Sequence, residues 1–258
     1  MSIQSLISWT EATWNPVVGC TKYSEGCENC YAVRHVRRMG ANPVAAIRRA
    51  NEGLAVNRDG CLNWSGEARL LPDRLEQPLH WRKPRLVFVN SLSDLFHKDI
   101  PVEYIARVFE VMRQASWHTF QVLTKRSERL RELDAELDWP DNVWAGVTVE
   151  SARHLYRIDD LRATGAKVKF LSLEPLLGPM PDLNLDGIDW VIVGGETGPG
   201  ARRMEVGWVR DVRDQCLAAG VPFYLKQWGE FNEMGERVGR LCAGSMLEAQ
   251  DWTQMPVR

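Results

Sequence analysis

Short apolar segments alternate with amphipathic, charge-bearing segments along most of this 258-residue chain. Apolar strands that alternate with helices indicate a parallel sheet with helices packed outside it. The pattern predicts strands at 85–90, 118–123, 143–149, 167–173, 188–193 and 222–225, and helices at 102–115, 127–136, 151–164 and 206–219. A strand near 6–9 and a helix from about Tyr31 add an N-terminal unit. The sequence therefore predicts an α/β fold, a partial or full TIM-type (β/α) barrel with at least six parallel strands.

The length of the chain fits one domain, because single (β/α) barrels commonly reach this size. We therefore predict one barrel domain over 1–258. Glycine, asparagine and proline interrupt the strand and helix pattern between residues 42 and 82, which predicts an insertion or a cap over the site. Residues 229–258 are predicted to form a polar C-terminal tail.

Polar residues follow the predicted strands where each strand ends. They are Ser91, Ser93, Asp94, Thr124, Lys125, Thr148, Glu150, Ser172, Glu174, Glu196, Lys226 and Gln227. In parallel α/β barrels the loops at the carboxyl ends of the strands build the active site. The pattern therefore predicts a site at this end of the sheet, with ordinary strand-to-helix caps as the alternative interpretation.

Three cysteines, Cys20, Cys27 and Cys30, lie within eleven residues on a segment with loop character. Three thiolates can surround one metal centre, whereas a closed structural zinc site takes four protein ligands, as does a common iron–sulfur cluster held by protein alone. Three ligands therefore imply an open metal position. The alternatives are three unrelated thiols, or a zinc site completed by a histidine such as His35. Of the other three cysteines, Cys216 lies in a predicted helix with apolar neighbours and is predicted to be a core residue, while Cys61 and Cys242 have no ligand partner at short spacing.

Composition limits the classes of function. The net charge of −2 argues against a surface that coats nucleic acid, although it allows a local basic groove. No apolar run approaches the roughly 20 residues that span a bilayer, and residues 1–10 do not resemble a secretory signal, so we expect a cytoplasmic protein without a membrane partner. Arginines at 34, 37, 38, 48, 49, 126, 129, 202 and 203 could line a nucleic-acid path or could form solvated helix faces.

The residues around the cysteines resemble a known motif. The segment from Asn15 and Pro16 to Gly19 and Cys20, closing with Cys30-Tyr31-Ala32, resembles the cluster loop of radical S-adenosylmethionine (SAM) enzymes. The spore-photoproduct-lyase-like branch is similar in two further elements, Leu123-Thr124-Lys125 with Ser127, and Leu173-Glu174-Pro175. Over nearly its full length the chain resembles a phage-associated family of uncharacterised radical-SAM-like proteins with a three-cysteine motif. Its cysteine spacing of six and then two residues departs from the three and then two of most radical SAM enzymes.

This resemblance implies a [4Fe–4S] cluster on Cys20, Cys27 and Cys30 whose open iron binds SAM. It also implies a reductant for the cluster and a 5′-deoxyadenosyl radical that abstracts hydrogen, here from a nucleic acid or nucleotide. A dedicated partner protein is a further expectation from the family. The resemblance assigns Ser91 or Ser93, Lys125 and Thr148 to SAM, and it assigns Glu174 and Glu196 to the amino group, the ribose or the substrate. Gly194-Gly195-Glu196 resembles the Gly-Gly-Glu motif that binds the SAM amino group in this class.

Two other functions stay open on the sequence. An iron–sulfur protein that does not cleave SAM could act as a sensor or as a subunit of a partner enzyme. A zinc-dependent hydrolase could use the open metal position to activate water. No catalytic residue beyond the cofactor ligands is assigned.

Overall fold

The computed structural model describes residues 5, 7–58 and 60–256. Its α-helices are α1 (Tyr31–Gly40), α2 (Ala45–Asn51), α3 (Val102–Gln114), α4 (Ser127–Glu132), α5 (Tyr156–Arg162), α6 (Val206–Ala219) and α7 (Arg240–Ala243). Its strands are β1 (Ala12–Trp14), β2 (Val17–Val18), β3 (Ala55–Arg58), β4 (Cys61–Trp64), β5 (Arg69–Leu70), β6 (Leu86–Val89), β7 (Thr119–Thr124), β8 (Val143–Thr148), β9 (Val168–Leu173), β10 (Trp190–Gly194), β11 (Phe223–Gln227), β12 (Met246–Leu247) and β13 (Gln250–Asp251).

Seven strands form the main sheet in the order β1-β6-β7-β8-β9-β10-β11. The pairs β1–β6, β6–β7, β9–β10 and β10–β11 are parallel, with registers such as Trp14 opposite Val89 and Ile192 opposite Ser172. Strands that follow one another in the chain are mostly neighbours, as the alternation of strands and helices requires. Among the described residues β1 and β11 are the edges of this sheet, so the α/β prediction is confirmed and its partial-barrel form fits.

The N-terminal strand was predicted in the wrong place. Leu6 lies outside the described residues, and residues 7–9 form a bend and a turn, closed by the Thr10 amide donating to the Ile7 carbonyl at 3.2 Å. The first strand is Ala12–Trp14, where the Trp14 side chain is fully buried. The run at 6–9 has apolar composition, but the local turn breaks its extension before the chain reaches the sheet.

The described chain divides into two compact units. The first contains residues 1–23, 30–145 and 165–167, and the second contains 24–29, 146–164 and 168–258. In the first unit the Trp14 and Phe120 rings pack with centroids 5.8 Å apart, and in the second the Phe170 and Trp190 rings pack at 5.9 Å. None of the helices in the described ranges has the length and apolar character needed to span a membrane.

The interrupted segment at 42–82 forms small elements within the first unit. Helix α2 is followed by the antiparallel pair β3–β4, and β5 pairs with β2 just before the first cysteine. In the second unit the tail is ordered against the sheet. The Leu225 amide donates to the Trp252 carbonyl at 2.8 Å, the Gln254 amide donates to the Phe223 carbonyl at 3.2 Å, and the Trp190 indole donates to the Gln254 carbonyl at 2.9 Å.

Candidate functional site

Two of the three cysteines lie in the first unit. Cys20 comes directly after β2 and Gly19, and Cys30 directly precedes helix α1. Both side chains pack against one apolar cluster, whose buried members are Val18, Ala32, Val33, Val36, Leu54, Ala55 and Trp64. Gly19 has a φ of +99°, and a Cβ there would lie 2.3 Å from the Glu67 carbonyl oxygen. A glycine is therefore required immediately before Cys20.

A buried arginine faces Cys20. Both terminal nitrogens of Arg126 lie 3.9 Å from the Cys20 sulfur, and one of them donates to Asp94 at 2.7 Å. Burial opposes the positive charge of Arg126, but Asp94 and Cys20 outweigh it, so that its pKa is raised above the ordinary value. The guanidinium therefore keeps its charge beside the cysteine.

Cys27 lies in the second unit, on the short 3-10 helix Glu25–Cys27. Its sulfur is 4.0 Å from the Ser24 hydroxyl, and that hydroxyl donates to Glu150. Glu150 is fully buried and accepts from Arg157 at 2.8 Å. A Cβ on Gly26 would lie 2.5 Å from the Glu150 side chain. The segment 24–29, which we call the Cys27 segment, is thus fitted closely against Glu150.

A second carboxylate at this site, Glu25, belongs to the Cys27 segment itself. The Ser151 hydroxyl donates to one oxygen at 2.6 Å, and the His154 ring nitrogen lies 2.9 Å from the other. Burial opposes the charge on Glu25, but the hydrogen bonds from Ser151 and His154 outweigh it and lower its pKa from 4.5 to about 2. Glu25 is therefore a carboxylate at neutral pH, tied to the residues that follow β8.

A third carboxylate, Glu196, holds the other end of the Cys27 segment. One of its oxygens accepts from the Asn29 amide at 2.9 Å and from Arg202, and its second oxygen accepts from Arg202 at 2.6 Å. Arg202 also donates to the Glu25 carbonyl at 2.8 Å, and Asn29 donates to the Gly200 carbonyl at 2.8 Å. The residue predicted to bind the SAM amino group is therefore engaged with the Cys27 segment.

This arrangement predicts an acid-sensitive contribution of Glu196 to stability. Burial opposes its charge, but hydrogen bonds from Arg202 and Asn29 outweigh it and place its folded-state pKa below the ordinary 4.5. A carboxyl group with a lowered pKa stabilises the fold above its unfolded-state pKa and loses that contribution as the pH falls through the folded-state value. We expect Glu196→Gln to lower the free energy of unfolding by about 1.5–3 kcal/mol at neutral pH, the range for hydrogen bonds to charged groups.

Urea denaturation across the acid range tests this prediction. The difference between the wild type and Glu196→Gln should shrink as the pH falls below 4.5, because the wild type then loses the contribution that the variant lacks. Glu103→Gln, at an exposed position in the first turn of α3, serves as the control and should change little. A difference for Glu196→Gln that stays constant down to the acid transition would contradict the prediction.

The remaining residues assigned to SAM each lie at or just after the end of a strand of the main sheet. In the first unit the Ser91 hydroxyl exchanges hydrogen bonds with the Asn15 amide, the Ser93 hydroxyl donates to the Val17 carbonyl at 2.9 Å, and the Lys125 amide donates to Asp94 at 3.3 Å. Because β6 and β7 are parallel neighbours, these residues lie together at the carboxyl ends of the first unit's strands.

In the second unit the assigned residues are Thr148, Glu174 and Glu196. Thr148 is buried at the end of β8, and its carbonyl accepts from Arg157 at 2.7 Å. Glu174 follows β9 and accepts from the Lys226 ammonium and from the Ser172 hydroxyl. Because β9, β10 and β11 are parallel, Glu174, Glu196 and Lys226 lie at the carboxyl ends of this unit's strands.

The donor set fits an iron–sulfur cluster in its chemistry. Cys20, Cys27 and Cys30 are partly exposed and form no disulfide, and N–H groups of Arg126 point at the Cys20 sulfur. Cys216 is different, because burial raises the pKa of its thiol to about 12. Across the described ranges, no group of three or more His, Cys, Asp or Glu side chains is already arranged to hold a metal ion.

Several contacts of this site were missed by sequence reasoning. The sequence indicates Arg126 and Arg202 only as part of a nucleic-acid path or of solvated helix faces, and it assigns no role to Glu25, Asn29 or Arg157. The available signal was the acid next to the cysteine in Glu25-Gly26-Cys27, since a carboxylate beside a metal loop needs a partner. No local pattern identifies that partner, because Arg126 is 106 positions from Cys20 and Glu150 is 126 positions from Ser24.

Comparisons with known proteins bear on the whole chain. No curated protein and no solved structure matches it. One family model, described as a protein of unknown function (DUF5131), matches residues 4–256, which is nearly the full length. The chain therefore belongs to the DUF5131 family.

Proposed function

We propose that this protein binds a [4Fe–4S] cluster through Cys20, Cys27 and Cys30, and that the open iron of the cluster binds SAM. One observation carries the proposal: the three thiols lie within eleven residues of one another. The Cys27 segment, which carries the middle thiol, is fixed in place by hydrogen bonds that involve carboxylates of the second unit. Three cysteine ligands satisfy three irons and leave the fourth without a protein ligand.

The chain's own residues would order the ligands. The Cys27 segment is held by three hydrogen bonds. Ser24 donates to Glu150 and Asn29 donates to Glu196, while Glu25 of the segment accepts from Ser151. The apolar cluster that packs against Cys20 and Cys30 would lower the polarity around those two partly exposed sulfurs. Fixing the Cys27 segment before the metal arrives would reduce the entropy that this segment loses on binding.

SAM would be held by the polar residues that follow the strands. Ser91, Ser93, Lys125 and Thr148 are proposed for this role, together with Glu174, whose carboxylate is paired with Lys226. Lys125 offers a cation for the methionine carboxylate. Glu196 has its oxygens occupied by Arg202 and Asn29, and we propose that it acts on the Cys27 segment. When bound, a reduced cluster supplies the electron that cleaves SAM to methionine and a 5′-deoxyadenosyl radical for hydrogen abstraction.

A nucleic acid or nucleotide is the proposed substrate. Three of the candidate arginines are engaged by other groups of the chain, since Arg126 and Arg202 bind carboxylates and Arg129 donates to main-chain carbonyls. The arginines that remain in support are Arg37, Arg38 and Arg49, which are exposed on helices α1 and α2, and the exposed Arg203, which pairs with Glu205 at 3.2 Å. A reductant for the cluster and a partner protein belong to the same proposal.

Anaerobic reconstitution with iron and sulfide tests the proposal. After reduction, electron paramagnetic resonance should give a [4Fe–4S]⁺ signal that changes when SAM is added, because SAM would coordinate the open iron. Analysis of the products should then give 5′-deoxyadenosine in the presence of SAM and a reductant.

Each other outcome points to a different function. A cluster signal that ignores SAM would replace the enzyme by an iron–sulfur sensor or a subunit of a partner enzyme. A protein that binds zinc and takes up no cluster would favour the zinc-dependent hydrolase. His35 would then be examined as the fourth ligand, since burial and Arg38 lower its pKa and so favour the neutral imidazole that binds zinc.

A further inference from the structure

Arg126 is held rigidly by residues of the first unit. Its side chain and that of Asp94 are both less than a tenth exposed, at 8% and 9%, and they form an ion pair at 2.7 Å. Asp94 is itself fixed, because it accepts from the Thr124 hydroxyl at 2.7 Å and from the Phe96 amide at 3.0 Å. The Tyr23 ring lies with its centroid 4.9 Å from the guanidinium carbon. A guanidinium held by a buried carboxylate and an aromatic ring has little freedom to turn away.

The other side of this guanidinium faces the first cysteine of the motif. Both terminal nitrogens are 3.9 Å from the Cys20 sulfur, and one of them also donates to the Thr21 hydroxyl at 2.9 Å and to the Thr21 carbonyl at 3.3 Å. The planar fork of arginine thus spans Cys20 and Thr21. Arg126 is therefore a charged, buried donor that contacts the sulfur of one proposed cluster ligand, Cys20.

We propose that Arg126 sets the reduction potential of the cluster through N–H contacts with the sulfur of Cys20, an inference that rests on the proposed function. One-electron reduction by an external reductant takes the cluster from the 2+ to the 1+ state and adds one negative charge to the iron–sulfur unit. A fixed positive charge and N–H donors at a ligand sulfur stabilise the more negative state, and so raise the potential. Arg126 is a positioning and tuning residue in this proposal, since it acts through Cys20.

The test is a redox titration of the reconstituted protein, with the reduced cluster followed by electron paramagnetic resonance. In Arg126→Met the charge and the donors are lost. At one fixed solution potential we expect the ratio of reduced to oxidised cluster to fall about tenfold, which corresponds to a midpoint about 59 mV more negative for a one-electron couple. Arg126→Gln, which is neutral but keeps one amide donor, should shift the midpoint in the same direction by less.

Arg129→Met is the matched control on the same turn of chain. Arg129 donates to the carbonyls of His97 and Ile100, so its loss should leave the midpoint near that of the wild type. Circular dichroism checks that each variant is folded, and Arg126→Gln decides the question if Arg126→Met does not fold.

The outcomes separate this inference from the proposed function. A wild-type protein that takes up no cluster overturns the proposed function and this inference with it. A wild-type cluster with an unchanged midpoint in the folded neutral variant overturns the role of Arg126 and leaves the cluster assignment standing. An equal shift in Arg129→Met also overturns it, because the effect would then be general to the helix. A shift confined to the Arg126 variants supports it.

Discussion

Replacing Cys27 by alanine will abolish uptake of iron and sulfide. The two motif thiols that remain, Cys20 and Cys30, cannot hold three irons. Cys27 itself lies on a segment that is fitted closely against Glu150. Iron and sulfide analysis after anaerobic reconstitution should fall from one full cluster per chain to background. The visible absorption of the cluster should disappear with it.

Cys61→Ala is the matched control for this change. Cys61 is an exposed thiol on strand β4, and its loss removes one cysteine from the chain without touching the motif. The control should keep full iron and sulfide content. Retention of the cluster in Cys27→Ala, or its loss in Cys61→Ala, would remove Cys27 from the ligand assignment.

Arg157→Met is expected to destabilise the fold strongly. The side chains of Arg157 and Glu150 are 1% and 0% exposed and form an ion pair at 2.8 Å, so the substitution leaves a buried carboxylate without its cation. Removing one partner of a buried pair typically costs about 3–5 kcal/mol. Urea denaturation of the apo protein should show this loss as a lower transition midpoint at an unchanged slope.

A surface pair supplies the control for Arg157. Lys167 and Asp141 form an ion pair at 2.8 Å, but their side chains are 67% and 81% exposed. Lys167→Met should therefore change the free energy of unfolding by only about 0–1 kcal/mol. If the two variants lose similar stability, the buried pair is not the structural element that we describe.

Much of the fold followed from periodicity because the strands of this sheet are continuously apolar. Helix α6 was predicted at its observed bounds, Val206–Ala219, and strand β9 within one residue. Prediction was poorer where a turn competes with extension, as at residues 7–9, and where a helix begins late. The predicted helix at 151–164 contains a 3-10 turn at Ala152–His154, and its α-helix is Tyr156–Arg162. There the Ser151 and His154 side chains bind Glu25.

The proposed cysteine ligands could be predicted from the sequence, whereas the side chains that contact and position them could not. Cysteine spacing is a local feature of the sequence, so Cys20, Cys27 and Cys30 could be identified directly. The side chains that contact these cysteines are distant in the sequence, as Arg126 is from Cys20. Such pairings depend on which strand ends become neighbours, and side-chain charge alone does not specify them.

The C-terminal tail has a consequence for association with other chains. Strand β11 is an edge of the main sheet, and an open edge presents main-chain groups that a strand of another molecule can pair with. Here Tyr224 is bridged to Thr253, and the Leu225 amide is bound to the Trp252 carbonyl. The last residues of the described chain thus cover part of this edge, and we expect them to hinder its pairing with a strand of another molecule.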